Sequence, residues 1–138
     1  MKIERITLTH VRVPLVEPFK ISNGEVSEKD GILVGVASEG VIGWGEASPM
    51  SGGFYSVDTP ESVWDDLVGK LIPGILQKKP DSLGEVDALL DGTDARPFAK
   101  AGLETAFWDL EAQKRIEPLF RTLGGTTGSI ESGLAVGI

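Results

Sequence analysis

The 138-residue sequence contains no cysteine, which excludes disulfides, thiolate metal sites and cysteine nucleophiles together. Histidine is nearly absent: His10 is the single one, and a lone histidine on a strand is more often a satisfied or surface residue than a ligand. Basic residues are outnumbered 21 to 13 by acidic ones, leaving a formal charge of −8 with no Lys/Arg cluster to relieve it locally. Such a surface repels phosphate backbones, so nucleic acid is excluded as a partner. No apolar run approaches the length of a membrane span. Met1-Lys2-Ile3-Glu4-Arg5 places charge where a signal peptide needs an apolar core. The expectation is a cytoplasmic protein that does not engage a membrane.

What is present suffices for a core, with 41% hydrophobic residues, and the 18 glycines and 8 prolines point to many turns. Ile6 and Leu8 alternate with polar residues, then Val11, Val13 and Leu15 alternate in the opposite phase, a pattern that predicts a bulge or a bend in the strand. Pro14 and Pro18 suit an edge strand or an exit from the sheet, and Ser22-Asn23-Gly24-Glu25 is turn chemistry. The run Ile32 to Ala37 and the run Val41 to Ala47, joined by Ser38-Glu39-Gly40, complete a three-stranded antiparallel meander.

Residues 48 to 58 form a Ser/Gly/Pro-rich loop containing Phe54-Tyr55, of a length that is often functional. Thr59 and Pro60 open a helix as N-cap and first position, and Pro73-Gly74 is expected to end or kink it. Ser82-Leu83-Gly84-Glu85 opens a second, short helix. Residues 96 to 115 carry two adjacent apolar stripes, Ala99/Leu103/Ala106/Leu110 and Ala101/Thr105/Trp108/Ala112, and predict a long helix covered on more than one side. Trp64, Phe107 and Trp108 read as core. From about residue 129 an apolar segment begins that reads as a further strand, with nothing after it to bury it. As an unprotected edge it predicts self-association, a homo-oligomer.

Four stretches, in this order, carry a family resemblance: Val13-Pro14-Leu15-Val16-Glu17-Pro18-Phe19; Gly43-Trp44-Gly45-Glu46; Lys70-Leu71-Ile72-Pro73-Gly74-Ile75-Leu76; and Ala101 to Leu110. Together they resemble the N-terminal capping domain of the muconate-lactonizing subgroup of the enolase superfamily, especially its o-succinylbenzoate synthase and N-acylamino acid racemase branch. The resemblance implies an α+β fold, a meander followed by a small helical bundle. Residues 1–128 would be the capping domain and 129–138 the first strand of a truncated (β/α) barrel. It implies a lyase or racemase that abstracts the proton α to the carboxylate of a small-molecule substrate, with Mg²⁺ bound by barrel residues that have no counterpart here. It also implies that two loops, 19 to 24 and 50 to 55, close over the barrel mouth, where Phe19, Asn23, Met50 and Tyr55 would line the substrate's non-reacting end. No catalytic residue and no metal ligand is assigned to this chain, which is expected to be inactive alone. A dipeptide epimerase, a muconate cycloisomerase and a stand-alone binding module remain as alternatives.

Each of these positions also has a plainer reading. Phe19 and Tyr55 suit ordinary edge packing, and Met50 suits an adaptable filler. Glu46 ends a strand beside the loop, but no partner near it in sequence would make it a base. Asp87, Asp91 and Asp94 lack the register of a calcium loop. Gly124 to Gly128 lacks the Gly-Lys-Ser/Thr of a phosphate loop.

Overall fold

The computed structural model describes residues 1–22, 24–52 and 55–134. Strands β1 (Ile3–Ile21), β2 (Gly24–Ser38) and β3 (Val41–Ala47) form one antiparallel sheet in the order β1-β2-β3. The turn into β3 is made by Glu39 (φ 52°) and Gly40 (φ 82°), both left-handed, the geometry a two-residue hairpin prefers.

In β2, Ile32, Val34 and Val36 are fully buried and face the helices, while the opposite face is covered only in part. The register of β1 against β2 runs unbroken from Arg5↔Ala37 to Pro14↔Glu28, so no bulge lies between Leu8 and Val11. The change in apolar phase has another cause. His10 and Arg12 share the helix-facing side with Ile6 and Leu8, and both reach the buried Asp30. Polar residues therefore occupy inward positions there, and Val11 and Val13 fall on the outer face. The register shifts only outside that stretch, between Ile3 and Arg5 and again between Pro14↔Glu28 and Phe19↔Val26, where β1 advances five residues against two on β2.

The helical half begins with α1 (Pro60–Asp66), capped as expected by Thr59, whose hydroxyl accepts from the Ser62 amide. Pro73-Gly74 does not end the helix. A π-helical turn over Leu67–Leu71 intervenes, with the Ile72 amide donating to the Leu67 carbonyl, and α2 (Ile72–Lys78) continues. The wider turn places Pro73 in the first turn of α2, the position where helices tolerate proline best. Then come α3 (Leu83–Asp91), α4 (Pro97–Arg115) and the single turn α5 (Leu119–Thr122).

The long helix α4 lies against β3 and supplies Leu103, Ala106, Phe107 and Leu110 to the core, all fully buried. Trp64 is half-buried at the margin of this core. Trp108 is half-buried and outside it, and Ala101 and Thr105 are exposed, so the second stripe is only partly covered. Helix and strand approach closely because β3 presents Gly43, Gly45 and Ala47 inward. A β-carbon at Gly45 would lie 2.2 Å from the Gly102 carbonyl oxygen, and one at Gly43 would lie 2.2 Å from that of Ala106. The alternation turns Trp44 to the other face, over Gly35.

The same helix closes the open edge of β3. Asp109 accepts from the Trp44 amide at 2.7 Å, and the Gln113 side-chain amide donates to the Ile42 carbonyl at 2.9 Å. Asp66, its side chain 4% exposed, ties α1 to the start of α4 by accepting from both the amide and the guanidinium of Arg96 at 2.8 Å. Residues 129–134 carry no strand, and the rest of the barrel strand expected from the sequence, 135–138, lies outside the described residues.

Candidate functional site

The β1–β2 hairpin outruns β3, because the last β2–β3 pair is Ile32↔Ala47 while β2 pairs with β1 down to Ile21↔Gly24. Beyond Ala47 the third strand gives way to the loop, and Pro49, Met50 and Ser51 run beside the exposed stem of the hairpin. The three extra residues of the β1 irregularity leave Val16 fully exposed, while Leu15 and Phe19 face the loop.

The result is a groove of about 230 Å³ walled by Leu15, Phe19 and Val26 on the hairpin and by Pro49 and Met50 on the loop. Ligand pockets that enclose a whole small molecule are commonly larger, roughly 300–1,000 Å³. This groove therefore suits one end of a ligand. Phe19, 52% exposed, and Met50 come together here from parts of the sequence 31 positions apart. Tyr55 is 64% exposed and does not line the groove. Asn23 lies outside the described residues, as does Phe54.

At the base of the groove sits Asp30, its side chain 2% exposed. His10 Nε2 lies 2.8 Å from Asp30 Oδ1, and Arg12 Nε donates to the same oxygen at 3.2 Å. Burial pushes the Asp30 carboxyl up, but the hydrogen bonds from His10 and Arg12, with the charge of Arg12, outweigh it and hold the group below the usual carboxylate range. On the other face of the sheet, Glu46 accepts from the Ser48 hydroxyl and pairs with Lys29 at 3.3 Å. The Ser48 hydrogen bond foremost, opposed by burial and helped by Lys29, holds its carboxyl below the usual range. A carboxylate so stabilised is a weak base, so Glu46 is placed for structure and not for proton abstraction.

Among the described residues, no three His, Asp or Glu side chains converge as an ion site, Asp87, Asp91 and Asp94 included. Among the described residues no donor set fits Mg²⁺. Also among the described residues, no helix is long and apolar enough to cross a membrane.

Residues 3–124 match the mandelate racemase / muconate lactonizing enzyme N-terminal domain family. The chain belongs to this family.

It is thereby an N-terminal capping domain of the mandelate racemase/muconate lactonizing type, and the α+β fold expected from the resemblance is the one observed. It is 34% identical over 139 residues to o-succinylbenzoate synthase of Bacillus subtilis (strain 168), covering 100% of this chain and 38% of that protein. To N-succinylamino acid racemase of Amycolatopsis sp it is 31% identical over 138 residues, covering 100% of this chain and 38% of the relative. An enolase superfamily member from Listeria innocua superposes with a TM-score of 0.91 at 30% identity, over 100% of this chain and 38% of that one. The chain thus spans less than two fifths of the length of these relatives. The family's motifs have structural work here: Gly43 and Gly45 admit α4, Glu46 ties β2 to the loop, and Asp109 closes the sheet edge.

Asp30, Leu15 and Val26 were not singled out in the sequence. Val26 carries no signal beyond ordinary strand alternation, and Leu15 stands out only as a member of the first family stretch. Asp30 stands immediately before the buried run of β2, and its pairing with a histidine 20 positions earlier follows only from the register.

Proposed function

We propose that this chain caps the mouth of an enolase-type barrel and selects its substrate through the groove between Phe19 and Met50. The observation that carries this reading is the meeting of those two side chains, from different elements, in one apolar concavity at the end of the sheet. The complete enzyme would remove the proton α to the carboxylate of a small molecule, with Mg²⁺ and the lysine acid and base held by the barrel. It would act as an o-succinylbenzoate synthase or N-acylamino acid racemase. Asn23 and Tyr55 would complete the lining once the loops close, residues 1–128 would form the cap, and residues 129–138 would lead into the barrel's first strand. The enzyme would be cytoplasmic and homo-oligomeric.

A dipeptide epimerase is the second reading. It is favoured by 30% identity over 142 residues to the hydrophobic dipeptide epimerase of Enterococcus faecalis, covering 100% of this chain and 39% of that one, and by the apolar walls of the groove.

The test is turnover of N-succinylamino acids, of dipeptides and of the synthase's substrate with Mg²⁺, by the pure chain and by the chain joined to the barrel of the Bacillus subtilis relative. The expected result is none from the chain alone and metal-dependent turnover from the joined protein. Metal-dependent turnover by the 138-residue chain alone would overturn the proposal.

A further inference from the structure

The Glu46 carboxylate joins two elements that no strand ladder connects. The last β2–β3 pair is Ile32↔Ala47, so the ladder stops before the stem of the hairpin, and Glu46 stands one residue short of that end, opposite Leu33. Its side chain reaches on over Gly31. A β-carbon there would stand 3.0 Å from Glu46 Oε1, so the glycine leaves the carboxylate its place. In that place Oε1 accepts from Lys29 Nζ at 3.3 Å, on the stem, and from the Ser48 hydroxyl, at the start of the loop. Lys29 lines the groove, and Ser48 is two residues before Met50, which forms the loop wall. The residue between them is Pro49, fully buried and with φ fixed by its ring, so the chain is stiff where it passes from Ser48 to Met50. The Lys29 and Glu46 side chains are 46% and 47% exposed, and an ion pair so open to water adds little to stability. What the carboxylate contributes is geometry: it holds the first residue of the loop against the stem.

We propose that Glu46 is a positioning residue: through Ser48 it sets where Met50 stands against the hairpin, and with it the width of the groove and the group the groove accepts. The functional half of this rests on the capping reading, while the structural half stands on this chain alone. The effect belongs to binding of a remote group, so it acts on KM with kcat nearly unchanged.

Two readouts test it. The chain has two methionines, Met1 and Met50, so a sample labelled at the methionine methyl carbons gives one signal for each. Ser48→Ala removes the loop's bond to the carboxylate and leaves Lys29 in place. It is expected to move the Met50 signal toward the position of an exposed methionine and to leave Met1 unmoved. Ser48→Thr keeps the hydroxyl and should restore the signal, and Glu46→Ala should act as Ser48→Ala does. A Met50 signal unmoved by Ser48→Ala or by Glu46→Ala means that the buried Pro49 holds the loop unaided, and overturns the proposal.

The second readout uses the chain joined to a relative's barrel and two N-acylamino acids that differ only in the acyl group. Ser48→Ala is expected to change the ratio of their kcat/KM values by about tenfold, through KM. If Met50→Ala changes that ratio and Ser48→Ala does not, Glu46 has no positioning role. If neither changes it while the Met50 signal still moves, the structural half holds and the capping reading is the part that fails.

Discussion

Adding one methyl group at Gly45 tests the packing that brings the sheet and the long helix together. In Gly45→Ala the new β-carbon would lie 2.2 Å from the Gly102 carbonyl oxygen and 2.7 Å from the Ala106 amide nitrogen, both backbone atoms of α4. Ordinary contact begins near 3.4 Å, so helix and strand must part by about 1 Å. No flexible side chain can absorb that shift, because the obstructing atoms belong to a 19-residue helix. Overpacking of this kind costs about 3 kcal/mol or more when backbone has to move, and the gap also weakens dispersion contacts along the whole α4–β3 seam. For a chain of this length, about 3 kcal/mol lowers Tm by roughly 10 °C. The assay is thermal and urea unfolding followed by far-UV circular dichroism. Gly74→Ala serves as control: nothing lies within 4 Å of its added β-carbon in the continuous helix 60–78, and it should stabilise by about 0.5–1 kcal/mol. A Gly45→Ala chain melting within about 2 °C of the parent would refute the reasoning.

Acid should weaken the chain through Asp66. Burial pushes this carboxyl up, but Lys70 and the amide and guanidinium of Arg96 outweigh it and hold it at about 2, below the ordinary value of 3.8. A group depressed in the folded state contributes its stability above the unfolded value, here about 2 kcal/mol, and loses it as pH falls from 3.8 toward 2. Urea midpoints measured between pH 7 and pH 2 should therefore drop more steeply in the parent than in Asp66→Asn, and parallel curves would contradict this. Removing the helix cap in Thr59→Ala should cost about 1 kcal/mol, read as a Tm lower by roughly 4 °C. An unchanged Tm would mean that the Ser62 amide finds another acceptor.

The meander and the long helix were legible from local patterns. Val34 and Val36 alternate in the right phase, Glu39-Gly40 is turn chemistry, and Pro97 to Arg115 shows helical spacing. What could not be read was whatever depends on a partner distant in sequence. The phase change along β1 looked like a bulge or a bend because the alternation of apolar residues does not show that His10 and Arg12 point inward toward an aspartate on the neighbouring strand. Pro73-Gly74 read as a helix end or a kink, and the end was ruled out by a π-turn that shifts the hydrogen-bond ladder and has no apolar signature. Of the proposed lining, Phe19 and Met50 share a groove and Tyr55 stands apart, a distinction of loop geometry rather than residue type. The glycines of Gly43-Trp44-Gly45 were read as part of a family motif. Their physical reason, the approach of α4, appears only in three dimensions.

In the proposed function this domain supplies selectivity and the barrel supplies chemistry. The measurement that tests it most directly is a cap exchange on one barrel, that of the Bacillus subtilis o-succinylbenzoate synthase. The barrel carries either its own N-terminal domain or residues 1–128 of this chain, and kcat/KM is determined for a series of N-acylamino acids graded in the acyl group. If the account is right, the order of preference follows the cap, with ratios shifting about tenfold or more, while metal dependence stays with the barrel. If both proteins turn over the series with the same ratios within twofold, this domain does not select the substrate and the claim is wrong.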